Sequence, residues 1–102
     1  MVKSHVLLHE VISKLNEYPA ESVIFAERIK GEFQSLSEAV VLELSEDEFE
    51  RPILEIANKR ASGMEYFLEV FIAAEMLEEL QSTGANFDAI VESVIYYAEN
   101  DA

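Results

Sequence analysis

The sequence predicts an α+β fold: an N-terminal helix, a small antiparallel sheet of two or three strands, and two C-terminal helices packed on that sheet. Three observations carry the prediction. Apolar residues recur at helical spacing near both ends of the chain, the middle holds only short β-branched apolar runs, and Gly31 and Pro52 interrupt the helices those runs would otherwise join. An all-α domain of four or five helices is the alternative, because a short buried run satisfies helix and strand equally by period alone.

The first element runs from Ser4 to about Tyr18, where Leu7, Leu8, Val11, Ile12, Leu15 and Tyr18 form one stripe and Glu10, Ser13, Lys14 and Glu17 lie opposite. Pro19 disfavours the helical conformation at Tyr18 and ends it. Val23-Ile24-Phe25 and Val40-Val41-Leu42-Glu43-Leu44 read as strands, with Ile53-Leu54-Glu55-Ile56 as the candidate third. Between the last two, Ser45-Glu46-Asp47-Glu48 has the form of a capping box, which favours a helical turn between Leu44 and Arg51. Ser62-Gly63-Met64-Glu65 repeats that pattern and predicts a long helix from about Gly63 to about Gln81. Thr83-Gly84 breaks it. Asn86 then caps a last helix carrying Phe87, Ile90, Val91, Val94, Ile95 and Tyr97 inward and Asp88, Glu92 and Glu99 outward. With no linker, repeat or low-complexity tract, residues 1–102 read as a single domain.

Half of the 102 residues are apolar, enough for a core without staples. The absence of Cys excludes disulfides, thiolate zinc sites and cysteine nucleophiles, and it is compatible with the cytoplasmic location expected by default. No apolar run reaches the roughly 18 residues of a membrane span, and the N-terminus lacks the pattern of a signal peptide. The formal net charge is −14, and it is unevenly placed: no Lys or Arg follows Arg60, while nine of the last 42 residues are Asp or Glu. Such a field repels phosphate backbones and anionic lipid, so neither direct nucleic-acid binding nor membrane binding is expected. It attracts basic protein surfaces, and the expected partner is one of these or a second copy of the chain in a homodimer.

Two segments are the candidate partner-binding residues. On the long helix, Tyr66, Val70, Ala73, Ala74, Leu77 and Leu80 share the side that would dock to the core, while Glu65, Glu69, Glu75, Glu78 and Glu79 mix with Met64, Leu68, Phe71, Ile72 and Met76 on the other. Apolar groups interleaved with one sign of charge suit a protein-binding surface; they suit equally a central helix covered on both sides. The second segment is Glu46-Asp47-Glu48-Phe49-Glu50, where four carboxylates surround one aromatic. It could grip a basic groove while Phe49 plugs a pocket, although the plainer reading is a solvated turn with Phe49 tucked into the core.

Chemistry is less well supported. His5 and His9 share a helical side, but two ligands do not make a metal site. Glu75, Glu78 and Glu79 with Asp88 and Glu92 could hold Mg²⁺ for a hydrolase, yet there is no Gly-rich phosphate cradle and no Lys or Arg in that half to neutralise a transferred phosphoryl group. No G-x-S-x-G elbow and no EF-hand spacing occur. No catalytic residue, metal or cofactor is expected. The expected function is a small acidic non-catalytic binding module that masks a basic site, as an immunity-type inhibitor or a nucleic-acid mimic does. A homo-oligomeric protein is the alternative, and a carboxylate-based metal hydrolase the least favoured reading.

Overall fold

The computed structural model describes residues 6–100. Strand β1 (Val6–Leu7) leads directly into helix α1 (Leu8–Ser13) and a 3₁₀ turn (Leu15–Glu17). Strands β2 (Val23–Ala26) and β3 (Glu38–Leu42) follow. Helices α2 (Glu46–Phe49) and α3 (Ile53–Arg60), strand β4 (Glu65–Glu69) and helices α4 (Val70–Ser82) and α5 (Phe87–Asn100) complete the fold. The strands form one antiparallel sheet in the order β1-β3-β2-β4. The expected α+β architecture and the two C-terminal helices are present, with more strands than expected and a shorter first helix.

Both faces of the sheet are covered, which explains why β2 reads as an unbroken apolar run rather than an alternating one. Ile24 and Ala26, with Ala39 and Val41 of β3, join the main core formed with Leu8, Val11, Ile12, Val70, Ala73, Ile90, Val91 and Val94 from α1, α4 and α5. Val23, Phe25, Val40 and Leu42 point the other way, into a smaller core built on Ile56, Ala57 and Ala61 of α3 and its following turn.

Strand β4 departs from strict alternation. Ile24 lies opposite Leu68 and Phe25 opposite Tyr66, so Phe67 is an extra residue and the strand carries a β-bulge. In consequence Phe67 and Leu68 both enter the main core while Tyr66 packs on the α3 side. Phe67 meets Phe33 edge-on, ring centroids 5.0 Å apart.

Three expectations are corrected. The first helix is not continuous to Tyr18: Val6 and Leu7 pair with Ala39 and Glu38, and the helix ends at Ser13, where Lys14 leaves helical dihedrals (φ −128°, ψ 27°). The following 3₁₀ turn still buries Leu15, so the apolar stripe is preserved by a change of helix type. Ser4 and His5 lie outside the described residues.

The candidate third strand at Ile53–Ile56 is helix α3. Pro52 sits at its N-cap with φ −57°, where a missing N–H leaves no intrahelical bond unmade, and its carbonyl accepts from Glu55 and Ile56 N–H at 3.0 and 3.3 Å. The proline taken as a helix breaker is the residue that starts one.

The long helix predicted from Gly63 begins instead at Val70, because Glu65–Glu69 is β4. Gly63 takes φ +84°, a left-handed turn that reverses the chain after α3 and delivers β4 to the open edge of β2. From there the order of elements is the expected one, a break at Gly84 and a last helix capped by Asn86. Gly84 turns the chain at φ +84°, and Asn86 Oδ1 accepts from Ala89 N–H at 2.8 Å to cap α5. The Cα radius of gyration, 13.2 Å, is that of one compact domain of this length. No helix among the described residues is long and apolar enough to cross a membrane.

Candidate functional site

The strand–helix junction Glu69–Val70 redistributes the first candidate segment. Leu68 is fully buried and Met64 nearly so, which removes both from any partner-facing surface. Glu65 is tied to Arg28 at 3.2 Å, and Glu69 ends β4 half-buried. On α4 itself, Phe71, Glu75 and Glu78 follow one another at i, i+4 and i+7 as an exposed stripe. Ile72 and Met76 turn toward α5. With Leu80, Ser93 and Tyr97 they line a groove of about 290 Å³ whose rim carries Glu75 and Glu79.

The second candidate segment is α2, a single helical turn. Ser45 Oγ accepts from Glu48 N–H at 3.2 Å while the Glu48 carboxylate accepts from Ser45 N–H at 3.0 Å, the reciprocal capping box read from the sequence. Arg60 of α3 grips it from the side, bonding Glu48 at 2.8 Å and the Glu43 carbonyl at 3.1 Å. The Ser45 N–H, and with it the Arg60 charge, holds the Glu48 carboxyl below its ordinary range. Arg51 bridges Asp47 (3.0 Å) and Glu55 (2.9 Å), joining the turn to α3. Phe49 is not tucked into the core: it is 55% exposed.

The two candidates meet. Phe49 of α2 and Phe71 of α4 line one hollow of about 200 Å³ with Ala20, Glu21 and Glu69. Phe71 is placed there by the backbone, since α4 has no side-chain cap and its first N–H groups are satisfied by the loop before β2: Val70 N–H donates to Ser22 O at 2.9 Å and Phe71 N–H to Ala20 O at 3.1 Å.

The charge pattern sharpens around this face. All three arginines are committed within the fold: Arg28 to Glu65 and Glu99, Arg51 to Asp47 and Glu55, Arg60 to Glu48. Among the described residues Glu21, Glu46, Glu50, Glu69, Glu75, Glu78 and Glu79 make no ion pair, and all of them but the half-buried Glu69 are exposed.

A second acidic surface was not anticipated. The loop between β2 and β3 and the outer side of α5 enclose a groove of about 900 Å³ that includes Glu32, Ser35, Glu92 and the largely exposed Tyr96. It continues past Ser35 and Glu92 into a hollow lined by His9, Leu36 and Phe87. Phe87, expected to point inward, is 38% exposed. The one available signal was Tyr96, which falls on the same helical side as Asp88, Glu92 and Glu99; Leu36, flanked by Ser35 and Ser37, gave none.

The carboxylates of the hydrolase reading are dispersed: Glu75 and Glu79 line the groove on one flank of α5, Asp88 and Glu92 the groove on the other. Among the described residues no three His, Asp or Glu side chains gather as metal ligands would. His9 is half-buried beside Phe87, and its expected companion His5 lies outside the described residues. No family model matches the chain, and no match is found among curated proteins or solved structures.

Proposed function

We propose that this protein is a non-catalytic acidic module that docks, through the outer face of α4 and the adjoining turn α2, onto a basic surface of another protein and masks it. One observation carries the reading: two segments far apart in sequence, each mixing carboxylates with an exposed phenylalanine, are brought to one surface by the fold. Apolar groups at the centre of such a surface supply affinity, and the surrounding carboxylates supply steering and register. A homodimer through the same face would bring Glu69, Glu75 and Glu78 of two copies together, each chain carrying a net charge of −14, and like charges placed together oppose association.

The test is binding of a fluorescent peptide rich in Lys and Arg with interspersed Leu, followed by anisotropy and stopped-flow at low and raised salt. Expected are fast, salt-sensitive association with the wild-type protein and slower, less salt-sensitive association when Glu75, Glu78 and Glu79 are reversed to Lys. Absence of binding at low salt, or binding unaffected by the reversal, would overturn the reading.

A further inference from the structure

Exposed single hydrophobic residues are ordinary on protein surfaces, but two phenylalanines sharing one hollow are not scattered singly. Phe49 is 55% and Phe71 45% exposed, and the hollow between them has almost no polar wall, being closed by Ala20 and the aliphatic parts of Glu21 and Glu69. At about 200 Å³ it is below the roughly 300–1,000 Å³ typical of small-molecule and cofactor sites. Its size suits one side chain.

We infer that the Phe49–Phe71 hollow is the anchor pocket of the docking surface, taking a single large apolar side chain of the partner, such as Leu, Met or Phe, flanked on the partner by Lys or Arg. This rests on the proposed function and names the chemistry of what it binds. The flanking cations follow from the rim. Glu21 and Glu69 stand at the hollow itself, Glu46 and Glu50 belong to the turn that carries Phe49, and Glu75 and Glu78 continue the stripe from Phe71 along α4. None of these carboxylates has an ion-pair partner among the described residues, and no cation of the protein lines the hollow. A partner bringing an apolar residue alone would leave that charge unanswered; one bringing cations alone would leave the hollow unfilled.

The hollow is preorganised rather than induced. Its two aromatic walls come from elements held by independent means: Phe49 by the Ser45–Glu48 capping box and the Arg60 and Arg51 bridges, Phe71 by the bonds of Val70 and Phe71 N–H to the loop before β2. The backbone carrying each wall needs no ordering at the moment of binding, which lowers the entropic cost of association. A pocket carried on anchored backbone also discriminates by side-chain size, whereas the exposed carboxylates discriminate only by charge.

Two peptides that differ at one position test this: a Lys- and Arg-flanked Leu peptide and its Leu→Ser counterpart, each titrated against the full chain. Expected is that the Leu peptide binds about tenfold or more tightly than the Ser peptide, and that Phe49→Ser and Phe71→Ser each abolish this preference. Both phenylalanines are exposed, and circular dichroism of each variant confirms that the fold survives. Equal binding of the two peptides by the wild-type protein, or a preference that persists in both variants, would overturn the anchor while leaving the acidic docking reading intact. Binding of neither peptide would overturn both. A dimer of the wild-type protein by light scattering that Phe49→Ser disperses would assign the hollow to a second copy and overturn the proposed occupant.

Discussion

Arg28 and Glu99, 71 positions apart in sequence, are joined by a hydrogen bond of 2.6 Å that ties the loop after β2 to the last turn of α5. The guanidinium lies over the Phe33 ring, 4.1 Å from its centroid, and also bonds Glu65 at 3.2 Å and the Gly31 carbonyl at 3.3 Å. The second oxygen of Glu99 accepts from Phe33 N–H at 2.7 Å. Phe33 in turn stands edge-on to Phe67, so a polar clasp at the surface continues into the main core.

Removing the clasp should therefore loosen the C-terminal end of α5. Glu99→Ala loses two charge-assisted hydrogen bonds, and because Arg28 and Glu99 remain partly solvated the expected loss is about 1–2 kcal/mol, read as a lower midpoint in urea unfolding. A change below about 0.3 kcal/mol would mean that the clasp adds nothing to stability.

The same group predicts a pH dependence. The Arg28 hydrogen bond and then the Phe33 N–H hold the Glu99 carboxyl below its ordinary value. A depressed carboxylate contributes stability that is fully present above the unfolded pKa of about 4.3 and is lost as pH falls through the lower folded value. On acidification below about pH 4 the wild-type protein should accordingly lose stability more steeply than Glu99→Gln, whose amide does not titrate. Parallel stability–pH curves for the two proteins would show that Glu99 is not linked to folding.

Helix α3 gives a prediction that separates its backbone from its side chains. Pro52→Ala should change stability by less than about 1 kcal/mol, since alanine also accepts the N-cap conformation. Ile56→Ala should cost about 2–4 kcal/mol, because Ile56 is 1% exposed and anchors the smaller core against Val23, Phe25 and Val40. Thermal unfolding of the two variants checks both, and a mild effect of Ile56→Ala would mean that α3 does not cover the sheet.

Ser45→Ala offers a way to disturb the anchor pocket without touching it. Loss of the cap should cost about 0.5–2 kcal/mol locally and let α2 fray, so the preference for a Leu-bearing over a Ser-bearing peptide should shrink while the electrostatic, salt-sensitive binding persists. An undiminished preference would show that Phe49 is held by something other than the capped turn.

What could be read from the sequence divides along a physical line. Strands β2 and β3, the α2 capping box and the Asn86-capped α5 were legible because each is decided by its own residues: β-branched runs, a Ser and a Glu three apart, and a clean apolar stripe. The misread elements are those that tertiary pairing decides. Glu65–Glu69 has a capping-box pattern in front of it, yet the unpaired edge of β2 recruits it as a strand, and the bulge at Phe67 hides the alternation that would have signalled one. Ile53–Ile56 has the composition of a strand and becomes a helix because the sheet face carrying Val23, Phe25 and Val40 needs a cover. The candidate surface was legible as two lists of residues. That Phe49 and Phe71 belong together, and that Leu68 belongs to neither list, depended on where the strand–helix boundary falls.

The place of β4 in the sheet also bears on the order in which the protein assembles. Val23 pairs with Glu69 and Ala26 with Glu65 across about 40 intervening residues, whereas the β2–β3 pair closes over a much shorter loop. Long-range closure is the slower event, so a chain that has formed only its hairpin still lacks the strand that brings Phe71 to Ala20 and Glu21. The hollow thus depends on the longest-range pairing of the sheet, and a chain in which β4 is not docked on β2, though it carries the same charge, has no pocket to offer.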